Sequence, residues 1–392
     1  MRIGIDAHML GDHSGGNERF YDNILKYMSV PGDCTVYLFV REDLDVSAFA
    51  GKFRIIRLKS RSALGRYFRE LPALCRELEL DVLHTQYFIP FRRPCRTICT
   101  IHDICFAHNK TWFSKKEYLF QKTMIPYAAR HADAVVTVSE FSRRDIADTF
   151  GVNDQKICVI YNAVDWKHFG KEADQAGKAE AAALVRAKFG IGQAPYILCV
   201  GNLNPRKNIS SLIDAYRMMK EKYGGSQILV IAGKKDYRAE QTIQEARETG
   251  VGDAILFTGY VTNEELEALY SQAECFVYPS LYEGFGIPPL EAMACGTPVA
   301  VSGTTALPEV VADAGLYFDP EDVSSIASCL HRLLQQEDLR EALISAGYDR
   351  VKAFDWGRSA QKLMDLYRGG SPDQESGRLP GRRKEAKKEH AV

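Results

Sequence analysis

Short apolar runs alternate with amphipathic helical patterns along nearly the whole chain, and this alternation is the strongest constraint on its fold. Such alternation predicts βαβ units, in which helices connect parallel strands. We therefore expect an α/β protein with two doubly wound, mainly parallel sheets. The predicted strands form a first set at residues 2–6, 35–40, 53–58, 81–85, 96–102, 134–139 and 157–161, and a second set at residues 196–201, 227–232, 254–258, 275–278, 298–302 and 316–318.

A charged, alanine-rich stretch without a strand pattern separates the two sets. It predicts two domains, residues 1–168 and 193–352, joined by a connector at 169–192. A helix at 353–368 follows, and the polar, basic composition of residues 369–392 predicts a disordered tail. Because ligands of doubly wound sheets bind at the carboxyl ends of strands, we expect the loops there to line a cleft between two facing domains.

Two carboxylates eight residues apart, Glu283 and Glu291, follow the strand predicted at residues 275–278. The first lies on a loop and the second in the first turn of a predicted helix. Glycines in the loop, prolines at the helix start and a Gly-x-Pro stop complete the pattern: Gly284, Gly286, Pro288, Pro289, Gly296 and Pro298. Backbone N–H groups between the carboxylates suit a phosphate, and the carboxylates suit sugar hydroxyls. The pattern predicts a nucleotide-sugar site; the alternative is that Glu291 complements the helix dipole and Glu283 is solvated.

A second loop, after the strand predicted at residues 196–201, holds Arg206 and Lys207 next to a helix start. Asn208 is the expected N-cap of that helix. Two fixed positive charges beside the positive end of a helix dipole would neutralise a diphosphate without a metal ion. For this loop alone, a basic pair on the surface is the alternative.

The first half of the chain offers two further candidate sites. Gly15 and Gly16 lie in the loop after the first predicted strand, where they allow close backbone approach to a ligand; a tight turn is the alternative. His102 and Asp103 lie at the carboxyl end of the strand predicted at residues 96–102, where cleft residues belong. For His102 a structural role is the alternative. Neither G-x-G-x-x-G nor G-x-x-x-x-G-K-[ST] occurs in the chain, so the dinucleotide and P-loop fingerprints are not met.

Charge and hydropathy restrict the class of protein. The formal net charge of -1 argues against a globally basic nucleic-acid-binding protein. No apolar run approaches the roughly 20 residues that cross a bilayer, and the N-terminus enters a strand without the apolar region of a signal peptide. The 10 cysteines are scattered, several of them in apolar strands, as in a reduced cytosolic protein. We therefore expect a cytoplasmic protein that binds no nucleic acid.

Two groups of residues raise the question of a metal ion. The first is a cluster of Cys95, Cys99, His102, Cys105 and His108. It has no Cys-x-x-Cys pair, and the predicted strand would direct Cys99 and His102 to opposite faces, so zinc is disfavoured. The second is the pair Asp43 and Asp45, of the kind that holds a metal–diphosphate complex in other transferases, although solvation is favoured. We expect no metal and no other cofactor.

Residues 52–96 are locally basic, with 11 Lys or Arg and 4 Asp or Glu, a balance of +7. Within them, residues 64–71 mix basic and aromatic side chains. This composition is compatible with contact to an anionic membrane surface. The favoured alternative is an exposed helix that packs its apolar side on the sheet.

Together these residues resemble family 4 of the retaining, nucleotide-sugar-dependent glycosyltransferases, over roughly residues 1–367. The similarity is most specific at residues 204–208 and 283–296, the second of which looks like the family's E-x7-E motif. A weaker similarity at residues 160–165 has Ala163 where the family usually has glycine. The resemblance implies the GT-B fold, with two Rossmann-like domains, the donor bound in the second and the acceptor mainly in the first. It also implies that the helix at 353–368 packs back on the first domain.

The resemblance also implies roles for the candidate residues. Arg206 and Lys207 would neutralise the donor diphosphate and stabilise the leaving group. Glu291 would accept hydrogen bonds from the ribose, and Glu283 would hold the transferred sugar. Further donor contacts would come from Gly15, Gly16, Tyr260, Val261, Gly284, Phe285, Gly286 and Ile287. Acceptor-side contacts would come from His102, which would also line the sugar, and from Asp103.

For the chemistry, the resemblance implies metal-independent transfer with retention and without an established covalent nucleophile. The expected substrates are a nucleotide-diphosphate sugar, with GDP-mannose as the first expectation, and a glycan or lipid-linked acceptor. Synthesis of a bacterial cell-surface polysaccharide such as lipopolysaccharide would require such a reaction. Two alternatives remain open at this point: a nucleotide-sugar epimerase or hydrolase, and a non-catalytic module that binds nucleotide sugars.

Overall fold

The computed structural model describes the chain over residues 1–11, 15–60, 62–166, 168–170 and 175–370. Of residues 175–179 it describes the backbone alone. The chain divides into two compact units. The first unit holds Met1–Asn162 and the helix that follows Asp355, and the second holds Ala163–Phe354.

Parallel strands form a 7-stranded sheet in the first unit: β1 (Arg2–Asp6), β2 (Thr35–Arg41), β3 (Arg54–Leu58), β4 (Val82–Gln86), β5 (Arg96–Thr100), β6 (Ala134–Thr137) and β7 (Ile157–Val159). Their order is β3-β2-β1-β4-β5-β6-β7, and all neighbouring pairs are parallel. The central strands are buried along most of their length, which explains why they read as near-continuous apolar runs. Because β1, β4 and β5 are neighbours, the residues that follow them meet at one edge.

Helices connect these strands: α1 (Gly16–Tyr27), α2 (Ala63–Gly65), α3 (Leu71–Glu77), α4 (Cys105–His108), α5 (Lys115–His131) and α6 (Glu140–Phe150). A π-helical turn, Arg66–Glu70, joins α2 to α3, and 3-10 turns lie at Ser47–Phe49, Lys110–Trp112 and Asp154–Lys156. Local sequence fixes the ends of several helices. Ser114 and Glu117 form a capping box at the start of α5, and Gly151, with φ 63°, ends α6.

The second unit has a 6-stranded parallel sheet: β8 (Tyr196–Val200), β9 (Ile228–Ala232), β10 (Ile255–Gly259), β11 (Cys275–Tyr278), β12 (Val299–Ser302) and β13 (Gly315–Phe318). The strand order is β10-β9-β8-β11-β12-β13. From β8 the chain adds β9 and β10 on one side, and it then adds β11, β12 and β13 on the other side. The topological switch point therefore lies between β8 and β11, and doubly wound sheets bind ligands at such a point.

The helices of the second unit are α7 (Gln175–Phe189), α8 (Ile209–Tyr223), α9 (Ala239–Glu248), α10 (Asn263–Ser271), α11 (Ile287–Ala294), α12 (Leu307–Val311), α13 (Val323–Gln335) and α14 (Glu337–Val351). Two 3-10 turns lie at Pro205–Lys207 and Gly252–Ala254. Apolar residues of α8, α9 and α13 pack with those of the central strands in one buried cluster. Alternate residues of β8, β9 and β11 take part, so this core covers one face of the sheet.

The last described helix, α15 (Trp356–Tyr367), belongs to the first unit. Trp356 packs edge-on against Phe20 of α1, with ring centroids 6.2 Å apart. The Tyr367 hydroxyl lies 2.6 Å from Nδ1 of the buried His84. Arg96 donates to the carbonyl of Leu366 at 2.8 Å and so satisfies the end of the helix. The C-terminal helix is therefore held by aromatic packing and by hydrogen bonds to β4 and β5.

The predicted α/β class with two parallel sheets is confirmed, and every predicted strand has a counterpart within about two residues. The strand predicted at residues 96–102 ends at Thr100, because His102 and Asp103 leave the sheet and turn into α4. Residues 171–174 of the predicted connector, and the predicted tail from residue 371 onward, lie outside the described residues. Within the described residues, none of the helices has the length and apolar character to cross a bilayer.

Candidate functional site

Three loops of the second unit meet at the carboxyl edge of its sheet. β8, β11 and β12 are consecutive in the sheet order, so the loops that follow them lie side by side. The first loop holds Arg206 and the second Glu283. Main-chain hydrogen bonds tie the loops together: Leu281 N–H donates to Arg206 O at 2.9 Å, and Ala306 N–H donates to Glu283 O at 3.4 Å. Main-chain hydrogen bonds therefore join the loop after β11 to both of its neighbours.

The loop after β8 is shaped by a 3-10 turn at Pro205–Lys207. The side chain of Asn204 caps this turn by accepting from Arg206 N–H at 3.1 Å. Asn208 is at the N-cap position of α8, as predicted, but its side chain makes no capping bond. Its amide donates instead to the carbonyl of Pro320 at 2.7 Å, because Asn208 adopts φ 57° and turns its side chain away from the helix start.

Arg206, Lys207 and Glu283 form one ion cluster. The Lys207 Nζ lies 2.5 Å from Oε1 of Glu283, and an Arg206 guanidinium nitrogen lies 3.2 Å from Oε2. Lys207 also donates to the Tyr278 hydroxyl at 2.7 Å and lies 4.9 Å from the centre of that ring. Arg206 donates to the carbonyl of Tyr282 at 2.6 Å. Both cations are therefore fixed in place by the loop after β11.

The electrostatics of the cluster keep Glu283 ionised. Burial acts to raise the pKa of its carboxyl, but the charges of Lys207 and Arg206 outweigh burial and lower the pKa to about 2. For Lys207, burial lowers the pKa and the Glu283 charge opposes that effect. Glu283 is only 7% exposed, which excludes the alternative of a solvated loop residue. The carboxylate thus balances one of two closely spaced positive charges.

The loop between β11 and α11 is buried over residues 282–287. Phe285 packs edge-on against Phe354, with ring centroids 5.5 Å apart. Gly286 has φ 100°, and a Cβ there would lie 2.6 Å from Cδ2 of Leu307. Glycine is therefore required at position 286 both by backbone conformation and by close packing. Of the predicted donor contacts, Gly284, Phe285, Gly286 and Ile287 all lie in this tight turn beside the ion cluster.

Glu291 lies deeper than the sequence pattern suggested. We predicted it in the first turn of a helix, but α11 begins at Ile287, so Glu291 is the fifth residue and lies in the second turn. It is 2% exposed, and one of its oxygens accepts from the Tyr270 hydroxyl at 3.1 Å. A buried carboxylate held by a tyrosine is not explained by the alternative of a dipole-complementing surface residue.

The start of α11 has fewer backbone donors than the sequence pattern suggested. Its second and third residues are Pro288 and Pro289, which have no N–H group. Two of the first four positions of the helix therefore cannot donate to an anion. The helix end alone is therefore a weaker anion site than predicted, and the positive charges beside the preceding loop are those of Arg206 and Lys207.

Two further predicted donor contacts, Tyr260 and Val261, follow β10 at one edge of the sheet. β10 is separated from β11 by β9 and β8, so these residues do not join the ion cluster. Tyr260 is 53% exposed, and the Nζ of Lys234 lies 5.2 Å from the centre of its ring. Lys234, in the loop after β9, is a further cation at this edge that the sequence analysis did not single out.

His102 lies at the carboxyl edge of the first sheet and is buried. Its Nε2 is 2.6 Å from the amide nitrogen of Gln86, at the end of β4, and its ring packs edge-on against Phe20. Burial lowers the pKa of His102 to about 4, although the Asp103 charge opposes the shift. His102 is therefore neutral at pH 7 and suits a hydroxyl better than a phosphate. The Asp103 carboxylate accepts from Cys105 N–H at 3.1 Å, which is a local structural role.

A buried carboxylate that the sequence analysis did not single out lies at the end of β1. Asp6 is 1% exposed, and its oxygens lie 2.8 Å from Nδ1 of His8 and 3.0 Å from the Tyr67 hydroxyl. The guanidinium of Arg66 lies 3.6 Å away. Burial acts to raise the pKa of Asp6, but the His8 and Arg66 partners lower it. The first sheet thus has its own polar cluster at the carboxyl edge.

The two glycines predicted to approach a ligand differ in their structural need for glycine. Gly15 precedes α1 with φ 82°, a conformation that favours glycine. A Cβ at Gly15 or Gly16 would meet no heavy atom within 4 Å among the described residues. The rest of the loop, residues 12–14, lies outside the described residues. Packing against the described residues therefore requires neither glycine, and their predicted approach to a ligand stays a prediction.

The candidate metal-binding residues are separated in the structure. Within the described parts of the chain, no group of three or more His, Cys, Asp or Glu side chains is placed to hold a metal ion. Cys99 is part of an apolar core, and His108 lies 2.8 Å from an Asp145 oxygen. Asp43 is largely exposed, and Asp45 caps a turn by accepting from the N–H of Ser47.

Two family models match successive parts of the chain. The model described as Glycosyltransferase Family 4 matches residues 14–167, and the model described as Glycosyl transferases group 1 matches residues 183–350. The O-antigen chain mannosyltransferase B of Escherichia coli is 32% identical over 284 residues, which are 72% of this chain and 72% of that protein. The O-antigen chain mannosyltransferase RfbU of Salmonella typhimurium is 33% identical over 257 residues, 66% of this chain and 65% of its own.

A solved structure has a similar fold. Sucrose-phosphate synthase from Thermosynechococcus elongatus superimposes with a TM-score of 0.74 at 23% identity, covering 94% of this chain and 98% of that one. At this identity the likeness concerns the fold alone, and the relatives above define the family. The chain belongs to the family 4 glycosyltransferases and has their GT-B fold of two parallel-sheet α/β domains.

Proposed function

We propose that this glycosyltransferase moves a mannosyl residue from a nucleotide-diphosphate sugar, with GDP-mannose as the expected donor, without a metal ion and with retention at the anomeric carbon. The observation that supports donor binding in the second unit is the ion cluster of Arg206, Lys207 and Glu283 at the carboxyl edge of its sheet. The sugar is proposed because the two named relatives are mannosyltransferases. The family assignment favours a transferase over the epimerase, the hydrolase and the non-catalytic module.

In the proposed reaction, the bond between the anomeric carbon and the diphosphate oxygen breaks while an acceptor oxygen bonds to the same carbon. The acceptor proton passes to the departing diphosphate, so atoms and charges balance. Arg206 and Lys207 stabilise the negative charge that develops on the diphosphate, which is the largest electrostatic demand of the step. Because two fixed cations meet this demand, a divalent metal is not required. Attack from the face that the diphosphate leaves gives retention.

The remaining predicted contacts complete the proposed donor site. Glu291 accepts from the ribose hydroxyls, and the turn at residues 284–287 surrounds the sugar and phosphates. Tyr260 and Val261 contact the base. Gly15 and Gly16, in the first unit, contribute to donor binding through close backbone approach. These assignments rest on the resemblance to the family and on the position of each residue at a carboxyl edge.

The proposed acceptor is a glycan or a lipid-linked oligosaccharide, and the proposed product is a cell-surface polysaccharide such as lipopolysaccharide. The names of the two relatives, both O-antigen chain mannosyltransferases, support this proposal. His102 and Asp103 are proposed to lie on the acceptor side. A neutral His102 at pH 7 is compatible with a hydrogen bond to a sugar hydroxyl. We propose that the reaction takes place in the cytoplasm, at the inner face of the membrane.

A thermal-shift screen against GDP-, UDP- and ADP-sugars, performed in EDTA, tests the proposed donor. We expect GDP-mannose to raise the melting temperature of the wild-type protein, because a ligand that binds only the folded state stabilises it by roughly 2.7 kcal/mol at 100 times its Kd. Glu291→Ala should lose most of this shift. Glu341→Ala, an exposed carboxylate on α14, is the matched control and should keep it.

The outcomes of the screen separate the parts of the proposal. If only UDP- or ADP-sugars raise the melting temperature, the donor is one of these and not GDP-mannose. A shift that requires a divalent metal in place of EDTA would contradict metal independence. With the donor identified, the anomeric proton of the product reports the stereochemistry by NMR. An inverted product would overturn retention while leaving the donor assignment intact.

We also propose that the first unit contacts an anionic lipid surface through an exposed aromatic pair. Phe68 and Phe91 are 48% and 45% exposed and stack with ring centroids 5.0 Å apart. Arg69 and Arg92, which follow them in sequence, are also exposed. Apolar rings next to cations suit the boundary of an anionic bilayer.

The basic stretch at residues 52–96 is not a uniform membrane-binding patch. Several of its cations bind backbone carbonyls or a buried carboxylate: Lys52, Arg57, Arg66 and Arg96. The local charge of +7 therefore overstates the charge that is available at the surface. The proposed membrane contact is confined to the neighbourhood of Phe68 and Phe91.

Co-sedimentation with lipid vesicles tests this contact. We expect binding to vesicles that contain phosphatidylglycerol and much weaker binding to phosphatidylcholine alone. Phe68→Ser combined with Phe91→Ser should lower partitioning at least tenfold, since burying each ring contributes about 1.5–3 kcal/mol. Tyr223→Ser, an exposed aromatic change on α8 of the second unit, is the control and should bind like wild type. Equal binding of the double variant and the wild type would rule out this surface.

A further inference from the structure

Thr305 has a backbone conformation that threonine rarely adopts. Its φ is 57°, in the left-handed region. Among the residues that the structure describes, positive φ is shared by a few other non-glycine residues: Glu79, Tyr87, Asn208, Arg238 and Ala312. Of this group only Thr305 is branched at Cβ, and branching makes the left-handed region particularly unfavourable. Backbone strain of this kind persists where the surrounding contacts impose it, and it concentrates at functional sites.

The contacts of Thr305 lead directly to the ion cluster. Its Oγ1 accepts a hydrogen bond from Glu283 N–H at 3.1 Å. The next residue, Ala306, donates its N–H to the carbonyl of Glu283 at 3.4 Å. The loop after β12 therefore holds the N–H and the C=O of Glu283 at the same time. One residue further, Leu307 lies against Gly286 so closely that a Cβ there would not fit.

The side chain of Glu283 is held from the opposite direction. Its two oxygens bind Lys207 and Arg206, which belong to the loop after β8. Glu283 is thus fixed by its backbone to the loop after β12 and by its carboxylate to the loop after β8. A shift of its backbone would move the carboxylate, and the two cations would follow because it binds both.

We propose that Thr305 is a positioning residue for glycosyl transfer, whose hydroxyl fixes the backbone of Glu283 and thereby the places of Arg206 and Lys207. This role rests on the proposed function of that cluster in stabilising the diphosphate. The positive φ of Thr305 sets the direction of its side chain, and the hydroxyl makes the bond. Small displacements of charged groups in an active site lower the rate more than the affinity when the groups act mainly on the transition state.

Steady-state kinetics of two variants test the proposal. Thr305→Val keeps the size and the branching but removes the acceptor for Glu283 N–H. We expect it to lower kcat by about 10- to 100-fold with little change in the donor KM. Thr305→Ser restores the hydroxyl and should recover most of the wild-type kcat. Donor binding in both variants is measured by thermal shift with the nucleoside diphosphate, which does not depend on turnover.

Thr249→Val is the matched control, because Thr249 also bonds a backbone group through its hydroxyl, at the end of α9 and away from the cluster. It should change the melting temperature without changing kcat. A positioning role for Thr305 is overturned if Thr305→Val keeps the wild-type kcat, or if Thr305→Ser loses as much as Thr305→Val. If the wild-type protein itself is inactive with GDP-mannose, the proposed donor is contradicted and not the role of Thr305. The variants are then assayed with the nucleotide sugar that the thermal-shift screen identifies.

Discussion

Replacing Arg206 by alanine is expected to lower kcat by about 10²–10³-fold while changing the Kd of the donor much less. Removing one preorganised donor to a developing charge has an effect of this size in other enzymes. The guanidinium lies 3.2 Å from Glu283 and is fixed by the carbonyl of Tyr282, so it is held in place before the substrate arrives. Its main contribution should therefore appear when charge develops on the diphosphate, and single-turnover rates together with a binding titration measure the two effects separately.

Arg217→Ala provides the control for this experiment. Arg217 lies on α8, after the same loop, and pairs with the exposed Glu221 at 3.3 Å. Exposed ion pairs of this kind contribute little free energy, so both kcat and the Kd of the donor should stay near the wild-type values. If Arg206→Ala weakened donor binding and left kcat unchanged, Arg206 would be a ground-state contact, and the charge-stabilising role would be wrong.

The sequence was sufficient to predict the sheets and the places of the main charged residues. Apolar runs such as residues 275–278 are buried on both faces of a parallel sheet, so their pattern is continuous and easy to recognise. Residues that directly follow such runs lie at the carboxyl edge for topological reasons alone. This rule places Arg206, Lys207 and Glu283 on neighbouring loops once β8 and β11 are adjacent.

The pairing within the site was not predictable in the same way. That Glu283 binds both cations depends on the adjacency of β8 and β11, which the chain order does not reveal because two strands intervene. Tyr278 and Thr305 lack a sequence signal for a similar reason. Each contacts a cluster residue that lies on another loop: Tyr278 contacts Lys207, and Thr305 contacts Glu283. Glu291 lies in the second turn and not the first because α11 begins at Ile287. A sequence pattern places a helix start only to within one or two residues.

The ion cluster carries a net positive charge, which is the sign that the proposed diphosphate site needs. Arg206 and Lys207 bring two positive charges and Glu283 brings one negative charge, which leaves one net positive charge before the donor binds. Glu283 therefore has two opposed effects in the proposed site. It holds the cations in position, and it also reduces the attraction that they exert on the diphosphate. A variant that removes only its charge can separate these effects.

Glu283→Gln is expected to destabilise the protein, to bind free GDP more tightly than wild type, and to lose transferase activity. Leaving two closely spaced, largely buried cations without their carboxylate should cost roughly 3 kcal/mol of unfolding free energy. This loss is present at pH 7 and shrinks as the pH falls from the ordinary glutamate value of 4.5 toward about 2, because the lowered pKa of Glu283 stabilises the fold only while the carboxyl is ionised. Thermal melts across this pH range measure the difference.

Calorimetric titration with GDP tests the second effect. Removing one negative charge near the diphosphate should tighten GDP binding at least about tenfold, or ~1.4 kcal/mol, since like charges a few ångströms apart repel by that order in a partly buried site. Turnover with the sugar donor should nevertheless fall by about 10²-fold or more, because the cations lose the carboxylate that positions them. Glu221→Gln removes a carboxylate from the exposed Arg217 and should change neither quantity. Weaker GDP binding by Glu283→Gln would mean that positioning of the cations, and not their partial neutralisation, determines affinity for the diphosphate.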